Sequence, residues 1–125
     1  MPNAKDYKVT SQFGTRKDPI TGKTDSHRGV DLAVPANTAL ASTVSGKVVS
    51  TSGHSSYGKT IVIQDASGNL HRFAHLNSVN VKVGQQVSKG GYIGATGSTG
   101  RSTGPHLHYE VTNFKGELTN PNFFL

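Results

Sequence analysis

Short apolar segments separated by glycine-rich turns limit most strongly how this chain can fold. Glycine accounts for 15 of the 125 residues, whereas apolar residues make up only 33% of the chain. Burial must therefore come from short strands joined by many turns rather than from long helices. The sequence predicts an all-β fold, built mainly from antiparallel strands.

Several segments have the residue types expected of strands. Residues 59–64 and 70–75 flank a turn sequence and predict a hairpin. A last strand is expected over residues 106–112. By contrast, the turn-rich segment 13–23 and the Gly/Ser/Thr-rich segment 94–104 are predicted to be loops.

The length of 125 residues and the mass of 13.2 kDa fit one small domain. The polar residues 1–10 lack a clear period and are expected to form an N-terminal arm, which leaves 11–125 as the folded domain.

We expect a groove on the central sheet, walled by loops 13–26, 50–60 and 94–104, and a monomeric protein.

Charge and cysteine content limit the partners and the metal ligands that this chain can use. The net charge of +6 and the pI near 9.8 favour an anionic partner, such as nucleic acid, an acidic membrane or a bacterial wall, although the charges are scattered. Cysteine is absent, so a metal site would have to use imidazole and carboxylate ligands. No apolar run approaches the roughly 18 residues of a membrane span, and the chain carries no signal peptide, so either the domain was excised from a longer secreted chain or its export is handled differently. We expect it to act outside the cell.

The last predicted strand carries two histidines and a glutamate on one face. Side chains alternate along a strand, so His106, His108 and Glu110 point to one side, and the apolar residues between them point to the core. The α-carbons of the two histidines would lie about 7 Å apart. One histidine could then bind a metal while the other contacts a substrate.

The same alternation places His71, Phe73 and His75 on one face of their strand, which makes His75 a candidate for the groove. Upstream, His27 and Asp31 would be about 13 Å apart in a straight strand, too far to share one ion. We expect Gly29 to supply the necessary bend through a positive φ.

Catalytic zinc sites use three protein ligands and leave one position for water, and two histidines with one carboxylate form a standard set. Three residues fit this count: His27, Asp31 and His108.

Taken together, these motifs resemble the lysostaphin-like zinc endopeptidases of bacteria and their phages. The resemblance covers about residues 11–125. It is carried by Ser11-Gln-Phe-Gly14, His27-Arg-Gly-Val-Asp31, Phe73-Ala-His-Leu76, Val81-Lys-Val-Gly84, Gly97-Ser-Thr-Gly100, Gly104-Pro-His-Leu-His108 and Asn120-Pro121.

The resemblance implies that Zn²⁺ is bound by His27, Asp31 and His108, and that His75 and His106 are catalytic. It also makes Tyr57 a candidate substrate contact, although an ordinary strand-end aromatic is an equal alternative. The expected reaction is hydrolysis of an amide bond in the stem peptide or cross-bridge of peptidoglycan. The sequence does not indicate which of these bonds is cut.

Other functions fit the sequence less well. The glycine-rich loop lacks the Gly-Lys-Ser/Thr ending and the following helix of a phosphate-binding loop, and nothing beyond net charge suggests nucleic acid. A biotinyl- or lipoyl-like carrier would need a lysine flanked by Met, and the only Met is Met1. A non-catalytic member of the same fold, which binds the wall or activates a partner hydrolase, is the alternative that we retain.

Overall fold

The structure is a computed structural model that describes residues 9–11, 13–17, 24–53, 57–99 and 104–125, with only the backbone for 11, 15–17 and 24–27. Nearly all of its secondary structure is β. The strands are β1 (Val9–Ser11), β2 (Gly14–Lys17), β3 (Thr24–His27), β4 (Val30–Leu32), β5 (Ala39–Ala41), β6 (Gly46–Ser52), β7 (Lys59–Asp65), β8 (Leu70–Val79), β9 (Gln86–Val87), β10 (Tyr92–Thr96), β11 (Leu107–Thr112) and β12 (Leu118–Thr119), and a 3₁₀ helix follows at Pro121–Phe124.

One large sheet organises the domain. Its main path runs β1-β4-β11-β8-β7-β6-β9, with β12 added to β11, β10 paired to β8, and β5 paired to β10. Every described strand pair is antiparallel. The predicted all-β, mainly antiparallel fold is confirmed, and so is the hairpin of β7 and β8.

Two predicted loops contain strands. β2 and β3 pair antiparallel in a separate two-stranded sheet, so residues 14–17 of the predicted loop 13–23 form a strand, and residues 18–23 lie outside the described part. β10 continues to Thr96 and takes up the start of the segment 94–104, whose residues 100–103 lie outside the described part. Of the expected N-terminal arm, residues 1–8 also lie outside it, and the remaining two belong to β1.

The core lies against one face of the central strands. Tyr109 and Phe73 are cross-strand partners on β11 and β8, both fully buried, with ring centroids 5.0 Å apart. Ile61 on β7 pairs with Phe73 and extends the layer. Burial of each large apolar side chain stabilises the fold by about 1.5–3 kcal/mol. This packing determines which face of β11 lies against the core, so the side chains of His108 and Glu110 lie on the opposite face.

A largely buried network of polar side chains lies on the core side of the sheet. His71 is fully buried; its Nδ1 lies 2.7 Å from the Tyr109 hydroxyl, and its Nε2 lies 2.8 Å from Oδ2 of Asp65. Tyr109 also hydrogen-bonds Thr43 at 2.8 Å. Burial lowers the pKa of His71, although the Asp65 carboxylate acts to raise it. The ring is therefore neutral near pH 7 in the folded protein, where it joins β8 to β11.

We predict that His71 makes stability depend on pH. Below about pH 6.5 the unfolded chain binds a proton at His71 that the fold excludes, so the free energy of unfolding falls as pH decreases through that range. The loss reaches about 1.4 kcal/mol per pH unit while the two states differ by one proton. In His71→Gln this component is absent. The stability difference between wild type and variant, measured by urea unfolding, should therefore shrink from about pH 8 to about pH 5. A difference that stays constant or grows would contradict the prediction.

Candidate active site

The register of two neighbouring strands brings the first site residues together. Asp31 on β4 is the direct cross-strand partner of His108 on β11. Their side chains meet on the face opposite the core, with Oδ1 of Asp31 2.7 Å from Nδ1 of His108. Because this contact joins residues far apart in sequence, it depends on the whole β4–β11 pairing.

Gly29 lets β4 approach β11 so closely. A Cβ atom at this position would lie 2.2 Å from the Tyr109 carbonyl oxygen and 2.9 Å from the Glu110 Cγ. The predicted positive φ is wrong, since Gly29 is not among the residues with positive φ. Glycine is required here because two backbones are in close contact, not because the chain turns left-handed.

His106 lies where the last strand begins. Its backbone forms an isolated antiparallel bridge with Gly97, and its ring Nδ1 is 2.9 Å from the carbonyl oxygen of Gly104. Its Nε2 lies 3.8 Å from Oδ1 of Asp31. The ring is therefore on the same face as His108, as strand alternation predicts.

His75 reaches this face by a local irregularity. The pairing of β7 with β8 shifts between Ile61↔Phe73 and Lys59↔Leu76, and His75 within that shift has a φ of 61°. Simple alternation would have placed it with Phe73 in the core, so the predicted common face of the two residues is wrong. The bulge turns the ring instead towards His106, with centroids 4.7 Å apart, and His108, at 6.0 Å.

Two hydrogen bonds hold His75 in this unusual conformation. Its backbone N–H donates to the carbonyl oxygen of Tyr57 at 2.8 Å, and its ring Nδ1 lies 2.7 Å from the carbonyl oxygen of Thr99. The residue is 7% exposed. Burial lowers the pKa of His75, and the nearby histidines His106 and His108 lower it further, against the Thr99 contact that raises it.

Glu110 also lies in the site, although no sequence motif predicts a role for it. Its Oε1 lies 2.9 Å from Nε2 of His108 and accepts a 2.7 Å hydrogen bond from the Tyr57 hydroxyl. The signal that could have found it is its position two residues after His108, on the same strand face. The Tyr57 ring stacks on His108 with centroids 5.9 Å apart, and its hydroxyl points to Glu110.

The electrostatics favour a charged His108 in the state described. Burial disfavours its charged form, yet the hydrogen bonds to Asp31 and Glu110 outweigh burial and raise the pKa of His108 to about 9. Burial likewise acts to raise the pKa of Glu110, but its bonds with His108 and Tyr57 lower it overall. In its charged form His108 donates a hydrogen bond from Nδ1 to Oδ1 of Asp31, and these two atoms could instead bind one cation.

The donor set suits zinc in its chemistry. A carboxylate and an imidazole nitrogen converge at Asp31 and His108, and zinc binds both atom types. Among the side chains that the structure describes, no group of three acidic or histidine residues is arranged to hold a metal. The predicted third ligand, His27, ends β3 three residues before β4, and its side chain lies outside the described part.

Comparison with known proteins identifies the family. The model of peptidase family M23 matches residues 25–121. This chain belongs to peptidase family M23. Its structure resembles the catalytic domain of lysostaphin from Staphylococcus simulans, at a TM-score of 0.84 and 33% identity, covering 97% of this chain and 93% of that one. A zinc-containing peptidase from Vibrio cholerae matches at a TM-score of 0.83 and 40% identity, covering 94% of this chain and 37% of the other.

Curated relatives of this M23 domain include peptidoglycan hydrolases. The peptidoglycan DD-endopeptidase ShyA of Vibrio cholerae is 42% identical over 106 residues, which are 84% of this chain and 25% of ShyA. The DD-carboxypeptidase/endopeptidase Mpg of Neisseria meningitidis is 38% identical over 114 residues, 91% of this chain and 26% of Mpg. The chain thus spans about a quarter of the length of these relatives. Within its described residues, no helix is long and apolar enough to cross a membrane.

We predict that Gly29→Ala disrupts the site through the backbone. The added methyl group collides with the Tyr109 carbonyl oxygen, so β4 must move away from β11 and carry Asp31 with it. We expect a loss of about 1–3 kcal/mol in unfolding free energy and weaker zinc binding. Urea unfolding and zinc titration measure the two effects.

Gly53→Ala is the matched control for this substitution. A Cβ atom added at Gly53 would lie 3.8 Å from Cγ of Lys59, which belongs to a flexible side chain and is its nearest described neighbour. We expect both properties to stay near wild type. If Gly29→Ala behaved like this control, the close β4–β11 contact would not be needed to place Asp31.

Proposed function

We propose that this M23 domain is a zinc-dependent endopeptidase that hydrolyses an amide bond in the stem peptide or cross-bridge of bacterial peptidoglycan. The observation that carries the proposal is the convergence of Asp31, His75, His106 and His108 on one sheet face. Family membership and the zinc-containing structural relative support the same reading.

In this proposal Zn²⁺ is held by His27, Asp31 and His108. When bound, zinc acts as a Lewis acid towards the scissile carbonyl group and the attacking water. Asp31 supplies negative charge that offsets the charge of the cation, and His108 supplies a ring nitrogen fixed by its neighbours. Absence of cysteine agrees with a site of this composition.

His75 and His106 would transfer protons next to the metal. A carbonyl oxygen can only accept a hydrogen bond, so His75 donates from Nδ1 to Thr99, and His106 donates from Nδ1 to Gly104. In the neutral form of each ring, Nε2 is then the basic nitrogen. Both residues can accept a proton at Nε2 and return it to the leaving amine, as general acid–base catalysis requires.

The substrate would lie in the groove beside these histidines. A cavity of about 250 Å³ is lined by Thr10, Asp31, Ala33, His106 and residues 104–105. The cavity is open to solvent, which suits an extended peptide. The net charge of +6 would favour encounter with an anionic bacterial wall. Peptidoglycan is the substrate in the name of the relative ShyA, and the relative Mpg is named as a DD-carboxypeptidase/endopeptidase.

We predict that zinc binding depends on Asp31 and His108. Asp31→Asn and His108→Ala each remove one of three ligands, and two ligands rarely hold zinc tightly. Metal analysis after dialysis should find about one zinc per wild-type chain and much less in either variant. Asp65→Asn is the matched control, because it also alters a carboxylate paired with a histidine, but on the core side. Full zinc retention in Asp31→Asn would show that the ligand assignment is wrong.

Catalysis should be separable from zinc binding at His106 and His75. We expect His106→Ala to keep zinc but to lose about 10²–10⁴-fold in the rate of wall-peptide cleavage, because a proton-transfer group is gone. At the left-handed position 75, His75→Asn is the better variant, since Asn tolerates positive φ. It should show a similar loss. A folded, zinc-loaded His106→Ala protein with nearly wild-type activity would refute the assignment, and zinc-loaded wild type without any hydrolysis would favour the non-catalytic alternative.

A further inference from the structure

Glu110 is a buried carboxylate beside the proposed metal centre. Its side chain is 3% exposed, so no substrate reaches it directly. One of its oxygens, Oε1, lies within hydrogen-bond distance of both the Tyr57 hydroxyl and His108 Nε2. A carboxylate is expensive to bury unless hydrogen bonds and positive charge compensate. The position of Glu110 therefore needs a physical explanation.

Two arginines contribute little to that explanation. Nε of Arg28 lies 3.6 Å from Oε1 and Nε of Arg72 lies 3.9 Å from Oε2, both beyond good hydrogen-bond length. The Arg28 side chain is 63% exposed, and ion pairs with exposed partners are weak. The short contacts of Glu110 are those with Tyr57 and His108. One of its two close partners is thus the ring of a proposed zinc ligand.

The direction of these hydrogen bonds sets the chemistry of His108. An ionised carboxylate has no proton to donate, so His108 must donate from Nε2 to Glu110. A metal cannot bind that nitrogen while it carries the proton. The ring nitrogen left for a metal is Nδ1, which faces Oδ1 of Asp31 at 2.7 Å.

We propose that Glu110 is a positioning residue, which holds His108 in the tautomer and orientation that present Nδ1 to the metal. This role rests on the proposed function, since it assumes that His108 binds zinc. Carboxylates that accept the second N–H of a metal-bound histidine are common, and their loss typically costs 10–100-fold in metal affinity.

Tyr57 completes this arrangement. Its hydroxyl donates to the Glu110 oxygen that also accepts from His108, its ring stacks on the His108 ring, and the Arg72 guanidinium lies 4.9 Å from the ring centroid. Tyr57 thus restrains both members of the Glu110–His108 pair. Within this proposal Tyr57 helps to hold Glu110 in place.

The decisive variants are Glu110→Met and Glu110→Gln. Methionine has a similar length but no strong acceptor, so zinc affinity, measured by competition with a chelator, should fall about 10–100-fold. Glutamine keeps a neutral carbonyl acceptor for His108 Nε2, so its loss should be clearly smaller. Tyr57→Phe should cost still less, because the direct Glu110–His108 bond remains.

Asp65→Asn separates this role from general destabilisation. Asp65 also accepts from a histidine, His71, but on the core side of the sheet. This variant should lose stability without losing zinc affinity. If Glu110→Met bound zinc within about twofold of wild type, or if Asp65→Asn weakened zinc as much, the positioning role would be overturned.

A measurement on the wild-type protein keeps the test decisive even if Glu110→Met does not fold. In zinc-loaded protein, ¹⁵N NMR of the imidazole rings should show His108 protonated at Nε2 and bound to metal at Nδ1. Metal at Nε2 would overturn the Glu110 role alone. A wild-type chain that binds no zinc would instead overturn the proposed function, and the Glu110 role with it.

Discussion

The register of β11 between β4 and β8 is the constraint on which the rest of the site depends. It sets His108 opposite Asp31 on one side and opposite Ala74 on the other. The same register packs Tyr109 against Phe73 on the core face. Because a slip of one residue would exchange the two faces, the apolar core specifies the position of the side chains proposed to bind the metal.

Much of this arrangement could be predicted from sequence. The glycine-rich, low-apolar composition indicated short antiparallel strands, and alternation along the last strand placed His106, His108 and Glu110 on a shared face. The family resemblance is confirmed by the M23 match over residues 25–121. These inferences succeeded because strand periodicity and motif order are local properties of a sequence.

The remaining features depend on contacts between distant segments. Alternation could not place His75, because a bulge reverses the side on which its ring lies. Gly29 is needed for a close approach to the backbone of β11, which no local pattern reveals. The Tyr57–Glu110 hydrogen bond joins β11 to a residue just before β7, so no local sequence pattern could predict it.

Product analysis on purified bacterial walls tests whether the domain is a zinc-dependent endopeptidase. Walls are digested with zinc-loaded protein and, in parallel, with protein stripped by a chelator, and the muropeptides are then examined by mass spectrometry for new amino ends. We expect new amino ends within the stem peptide or cross-bridge with the zinc-loaded protein, and none with the stripped protein until zinc is restored. Equal cleavage without zinc, or intact peptides with zinc fully bound, would contradict this expectation.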